Sequence, residues 1–121
     1  MAYDLFQEIR AAGVAIAPYV IKTPLIYSST FSRITGAHVY LKLETLQKAG
    51  SFKIRGAMNK ILAHSKRTEL TGVITASAGN HAQGVSVAAQ AAGIPATVIM
   101  PLWSSLSKQE ASRGYGADVH L

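Results

Sequence analysis

Short apolar runs alternate with helical segments through the C-terminal half of the chain, and this alternation most constrains the fold. GVITA at 72–76, ATVIM at 96–100 and ADVHL at 117–121 are each typical of a buried strand. Residues 80–93 and 105–114, which separate the three runs, predict helices. Strands and helices that alternate with short connections are typical of right-handed crossovers onto a mostly parallel sheet. We therefore predict an α/β fold of three layers, with helices flanking a mostly parallel sheet.

The N-terminal half contains three further predicted elements. Helical spacing after a possible Asp4 cap predicts a helix that ends near Pro18. Residues 38–43 alternate and are rich in β-formers, which predicts a strand. A stripe of apolar residues predicts a helix from Ile54 to about Ser65. The chain stops at Leu121 directly after a predicted strand, so we expect it to be an incomplete piece of its fold.

Composition excludes several classes of function. The net charge of +6 suits an anionic ligand, but the basic residues are scattered, so we expect no nucleic-acid binding. The chain has no cysteine, and its four histidines lack metal-ligand spacing, so we expect no metal site. No apolar run reaches the ~18 residues of a membrane span, and the acidic N-terminus is unlike a signal peptide. We expect a soluble, cytoplasmic protein that does not contact a membrane.

The segment TASAGNHAQG, residues 75–84, joins a predicted strand to a helix of small residues. A turn there would point backbone N–H groups and the positive end of the helix at one spot, which is how proteins hold carboxylates and phosphates. Gly79 would let the backbone approach a ligand closely, and Ser77 and Asn80 would add side-chain hydrogen bonds. A capped turn without a ligand is the alternative. The segment matches neither the dinucleotide nor the Walker pattern, and GVSVA at 84–88 lacks the last glycine of a nucleophile elbow.

Lys53, in the segment AGSFKIRGA at 49–57, opens a predicted helix. If Ser51 caps that helix, the positive end of the helix dipole disfavours an ammonium at Lys53, and burial beside Phe52 would act in the same direction. An uncharged amine is what a lysine needs in order to form a Schiff base. The alternative is an ordinary surface lysine, because Lys60 lies at the same helical angle. The spacing leaves both interpretations open.

Two segments together carry a resemblance to a known family. KLETLQKAGSFKIRGA at 42–57 and TASAGNHAQG closely resemble the threonine and serine dehydratases of pyridoxal-phosphate fold type II, which is also called the tryptophan synthase β-like family. KTPL at 22–25 and RGYGADV at 113–119 fall where that family has similar segments. The resemblance extends over nearly the whole chain. Ala49 departs from it, since a threonine is more usual there.

The resemblance implies a role for individual residues. Lys53 matches the catalytic lysine that binds pyridoxal 5′-phosphate covalently, Phe52 matches the residue beside the pyridine ring, and Asn80 matches the asparagine that hydrogen-bonds the cofactor's 3′ oxygen. The loop that takes the substrate carboxylate corresponds to Ser77, Ala78, Gly79, Asn80 and His81. This agrees with the anion site that the turn alone suggests.

The activity implied is the β-elimination of water from L-threonine or L-serine, giving a 2-oxo acid and ammonia, by a homo-oligomer. Residues 1–65 would begin the large domain and residues 66–121 the small one. The family's phosphate loop and the partner of its pyridine nitrogen come after residue 121, so we expect this chain alone to bind the cofactor weakly and to be inactive. Serine racemisation, β-replacement, a non-catalytic anion-binding module and a fragment without an independent role remain open.

Overall fold

The computed structural model describes residues 4–65 and 70–121, and its first element is helix α1, Leu5–Ile16. Asp4 is the N-cap, and its carboxylate accepts hydrogen bonds from the N–H groups of Phe6 at 3.1 Å and Gln7 at 3.3 Å. These bonds satisfy backbone donors that have no partner inside a helix. The predicted helix and its cap are confirmed.

A small antiparallel ribbon follows α1. Strand β1, Leu25–Tyr27, pairs with β2, Tyr40–Lys42, and helix α2, Ser29–Thr35, connects them. The strand predicted at 38–43 is present as β2, whereas β1 and α2 were not predicted. A single 3-10 turn, Glu44–Leu46, then leads towards the next helix.

The remaining elements follow the predicted alternation. They are α3 (Lys53–Ser65), β3 (Val73–Ala76), α4 (Asn80–Ala92), β4 (Ala96–Ile99), α5 (Leu106–Gly114) and β5 (Asp118–His120). The three strands form a parallel sheet in the order β3-β4-β5. The α/β class with a parallel sheet is therefore confirmed. Because parallel strands end at the same edge, the loops after β3 and β4 lie side by side there.

The core consists of two adjoining clusters on either side of α4. On one side, Ile54 and Met58 of α3 pack with Val85 of α4. On the other side, small residues of α4 pack on one face of the sheet, which includes Val98. The opposite face of the sheet is open in the described part of the chain, and Ile74 on that face is 70% exposed.

Two further expectations concern the chain as a whole. No helix among residues 4–65 and 70–121 is long and apolar enough to cross a membrane. The predicted domain boundary between residues 65 and 66 adjoins residues 66–69, which lie outside the described residues.

Candidate functional site

A tight turn places Lys53 at the start of α3. Gly50 has a positive φ of 64°, which glycine adopts without strain, and its N–H donates to the Gln47 carbonyl at 2.8 Å. The buried Ser51 then accepts a hydrogen bond from the Lys53 N–H through its hydroxyl at 3.4 Å. Lys53 is thus the first residue of α3. Phe52 precedes the helix directly, and Ser51 bonds the first helical N–H from one residue further out, so Ser51 is not at the N-cap position that the sequence suggested.

The side chains of Lys53 and Phe52 lie together on the surface. The Lys53 Nζ is 4.8 Å from the centroid of the Phe52 ring, a cation–π distance. Both side chains are exposed, and Phe52 is 59% accessible. The two side chains therefore lie beside each other but are not buried, and within the described residues the Lys53 amine is the group that lies over the ring. No carboxylate of the described residues forms an ion pair with the Lys53 amine.

The turn between β3 and α4 leaves the helix without a side-chain cap. The Ser77 N–H donates to the Ile99 carbonyl of β4 at 3.0 Å, and the Ser77 hydroxyl accepts from the Gly79 N–H at 3.3 Å. Ser77 therefore stabilises the turn itself. The N-cap of α4 is Gly79, and no side chain bonds the N–H groups that follow it. These donors and the positive helix end are available to an anion.

Gly84 brings α4 against the first residues of α3. A Cβ on Gly84 would lie 3.0 Å from both the carbonyl carbon of Lys53 and the nitrogen of Ile54, which is closer than side-chain carbons normally approach. Asn80 lies four residues earlier on the same face of α4, about 6 Å along the axis. Asn80 is therefore about one helical turn away from the contact between α4 and the start of α3.

His81 lies beside a different part of α3. It lines a shallow groove of about 250 Å³ together with Thr75 of β3 and with Gly56 and Lys60 of α3. Lys60 is seven residues after Lys53 and shares its face of the helix. The groove therefore lies further along α3 than Lys53, which is not among its lining residues.

Lys108 was not singled out from the sequence, yet it reaches the turn. Its Nζ is 3.2 Å from the position that a Cβ on Gly79 would occupy. Lys108 is in the first turn of α5, where a cation is electrostatically unfavourable. The one available signal was that Lys108 lies in the first turn of the helix after β4, because the segments that follow neighbouring parallel strands lie at the same edge of the sheet.

A second feature that the sequence did not reveal is an ion pair between Glu44 and Arg55, which is two residues after Lys53. Arg55 donates to Glu44 twice, from Nε at 2.9 Å and from Nη2 at 2.7 Å, and the Thr23 hydroxyl donates to the same carboxylate. The hydrogen bonds from Arg55 are the main cause that lowers the pKa of Glu44 from 4.5 to about 2. The pair joins the first turn of α3 to the 3-10 turn and so fixes the position from which Lys53 extends.

These groups fit a carbonyl cofactor that carries an aromatic ring and works on an anionic substrate. Lys53 supplies an accessible amine, Phe52 supplies an apolar surface beside it, and the turn at Gly79 supplies uncapped N–H donors. Lys108 adds a positive charge at that turn. Such a set can hold a cofactor covalently and bind a carboxylate next to it.

The chain is similar to curated proteins over nearly its whole length. It is 52% identical over 115 residues to the L-threonine ammonia-lyase of Thermotoga maritima, and the match covers 95% of this chain but 29% of that protein. The chain therefore spans less than a third of the length of this relative.

Solved structures share the same fold. A pyridoxal 5′-phosphate-dependent aspartate racemase superposes with a TM-score of 0.88 at 39% identity, covering 94% of this chain and 36% of that one. A maize serine racemase superposes with a TM-score of 0.82 at 41% identity, covering 95% of this chain and 35% of that one. The profile of the family described as pyridoxal-phosphate dependent enzyme matches residues 16–121. The chain belongs to this family of pyridoxal-phosphate dependent enzymes, of fold type II.

Proposed function

We propose that the native polypeptide, by which we mean the natural gene product that contains this chain, is an L-threonine dehydratase that uses pyridoxal 5′-phosphate and also accepts L-serine. The identity to L-threonine ammonia-lyase supports this reaction. The observation that carries the proposal is the contact of Gly84 with Lys53, because it packs the main chain that bears an accessible amine about one helical turn from the uncapped start of α4. The products are a 2-oxo acid and ammonia.

In this proposal three residues hold and use the cofactor. Lys53 binds it covalently, Phe52 lies beside its ring, and Asn80 donates a hydrogen bond to its 3′ oxygen. The bound cofactor supplies an electron sink for the electron pair released at Cα. The Lys53 amine, when it is not bonded to the cofactor, would take the proton from Cα of the substrate.

The substrate carboxylate is bound at the turn after β3. The uncapped N–H groups and the positive end of α4 support this assignment, because both favour a negative charge at that place. The residues proposed for this role are Ser77, Ala78, Gly79, Asn80 and His81. The carboxylate at the turn fixes the substrate, and the reacting carbon then lies near Lys53.

Several wider properties belong to the same proposal. Residues 1–65 begin a large cofactor-binding domain and residues 66–121 begin a smaller one, within a cytoplasmic homo-oligomer. The open face of the sheet, with its exposed Ile74, supports the view that further structure covers this face in the native polypeptide. We expect the 121-residue chain on its own to bind the cofactor weakly and to have no useful activity.

The test compares two lysines on the same face of α3. In the native polypeptide, Lys53→Ala removes the visible absorbance of the covalently bound cofactor and reduces turnover of L-threonine by about a thousandfold or more. Lys60→Ala, seven residues further along, retains both. Borohydride reduction followed by peptide mass analysis should attach the cofactor to Lys53. Undiminished turnover by Lys53→Ala would refute the assignment.

Racemisation is a second candidate, favoured by the superposition on an aspartate racemase. Both reactions begin with loss of the Cα proton, so they differ in their products. A dehydratase releases a 2-oxo acid and ammonia from L-threonine or L-serine, whereas a racemase returns the D-amino acid. Chiral chromatography of the products beside a 2-oxo acid assay separates the two. If cofactor and carboxylate binding were both independent of Lys53, a non-catalytic anion-binding module would remain.

A further inference from the structure

We propose that Lys108 supplies the positive charge that binds the substrate carboxylate at the Gly79 turn, and that it thereby determines the preference for substrates with a free carboxylate. The inference rests on the proposed function and adds a residue to its site. It arises from a contact between two segments that are about thirty residues apart in the sequence, where α5 meets the start of α4.

The first supporting observation is position. The Lys108 Nζ is 3.2 Å from the point where a Cβ on Gly79 would lie, so the ammonium lies against the main chain of the turn. A side chain at position 79 would force the ammonium to move away by at least a few tenths of an ångström. The Lys108 side chain is half-buried, which limits the volume that its head can explore.

The second observation is an unbalanced charge. The start of α4 has no side-chain cap, and the start of α5 has neither a side-chain cap nor an acidic residue in its first turn. Both helix ends are partly positive, and the Lys108 ammonium is added to them. No carboxylate of the described residues forms an ion pair with Lys108, since the nearby Glu110 pairs with Arg113. Positive groups that lie together without a negative partner favour the binding of an anion from solution.

The third observation is that Lys108 and Lys53 lie on different helices and contact different groups. Lys53 extends from α3 and lies over Phe52, whereas Lys108 extends from α5 and lies over Gly79. The two amines are thus held by different helices beside different groups. In this proposal Lys53 binds the cofactor covalently, and Lys108 binds the carboxylate of the substrate.

The test uses Lys108→Met in the native polypeptide, because methionine keeps much of the length of the side chain and removes the charge. We expect KM for L-threonine to rise about 10- to 100-fold, the usual size of one charge-assisted hydrogen bond, while kcat changes less than about threefold. L-threoninol, which has an alcohol in place of the carboxylate, should bind equally well to both proteins in a spectral titration. Lys108→Arg should restore most of the affinity for L-threonine.

A second variant addresses the same contact from the other side. Gly79→Ala would add a methyl group 3.2 Å from the Lys108 Nζ and displace the head of a flexible side chain, so the protein should still fold. The expected result is a loss of affinity for L-threonine similar to that of Lys108→Met. If Gly79→Ala binds L-threonine normally, the proposed contact is wrong.

A third measurement does not depend on catalysis. The Gly79 amide resonance of ¹⁵N-glycine-labelled protein should shift on titration with propionate, and Lys108→Met should abolish that response. A protein without cofactor absorbance would defeat the proposed function, whereas the propionate titration would still test the inference in that protein. Weaker cofactor binding by Lys108→Met together with an unchanged affinity for L-threonine would assign Lys108 to the cofactor phosphate and overturn it.

Discussion

The ion pair between Glu44 and Arg55 should stabilise the fold far more than a surface pair, and Glu44→Gln tests this. The side chains of Glu44 and Arg55 are 15% and 31% exposed. Each pKa unit corresponds to about 1.4 kcal/mol, so a carboxyl pKa that falls from 4.5 to about 2 corresponds to about 3 kcal/mol. Solvent reaches part of Arg55 and screens the pair, so we expect Glu44→Gln to lower the free energy of unfolding by about 2 kcal/mol at pH 7.

The pH dependence has a defined sign. The pKa of Glu44 is lower in the folded state than in the unfolded state, so its contribution is fully present above pH 4.5 and is lost as pH falls towards 2. The difference in stability between the parent protein and Glu44→Gln should therefore shrink across that window. The measurement is urea unfolding of the native polypeptide, followed by circular dichroism between pH 7 and pH 3.

Glu110→Gln is the matched control, because it removes the same charge from an exposed pair. Glu110 is 62% exposed and contacts Arg113 at 3.0 Å, three residues along α5. Such pairs contribute at most about 0.5 kcal/mol. Equal losses for the two variants, or a loss for Glu44→Gln that does not change with pH, would show that the hydrogen bonds from Arg55 have no special role.

The remaining predictions concern contacts that position α3. Gly84→Ala forces a methyl group to within 3.0 Å of the Lys53 main chain, so it should lower the free energy of unfolding by roughly 1–3 kcal/mol and weaken cofactor binding. Gly13→Ala in α1 is the control, because its methyl group meets no atom within 4 Å and should be neutral or stabilise by up to about 1 kcal/mol. Equal urea midpoints for both variants would contradict this. The Tyr115 hydroxyl donates to the Lys48 carbonyl at 2.9 Å, so Tyr115→Phe should cost about 1 kcal/mol in the same unfolding assay. An unchanged midpoint there would mean that water replaces the bond without loss.

The sequence predicted those elements that show a clear period. The strands β3 to β5 and the helices between them alternate clearly because one side of each packs in the core. Strand β2, Tyr40–Lys42, is exposed, yet it lies in an alternating segment and was predicted. Strand β1, Leu25–Tyr27, is equally exposed but consists of three successive apolar residues without alternation, so it was missed. Helix α2 has only seven residues, too few for a periodic pattern to stand out.

The candidate site residues, too, could be proposed from the sequence only where a local pattern marks them. Lys53 and the Gly79 turn lie in short segments whose local chemistry can be read directly. Lys108 could not be read in that way, because its importance arises from a contact with Gly79 that only the packing of α5 creates. The structure does not bury Lys53 beside Phe52 for a related reason, since what covers a side chain depends on the rest of the fold.

The absence of a side chain at Gly84 also sets how the two halves of the site can move. Main chain touches main chain between α4 and α3, so there is no layer of side chains whose rotamers could absorb a displacement. A displacement of α4 at Gly84 therefore moves the peptide of Lys53 with it. Any larger residue at position 84 would push α4 away from the start of α3, so the spacing of the two helices at this contact depends on the glycine.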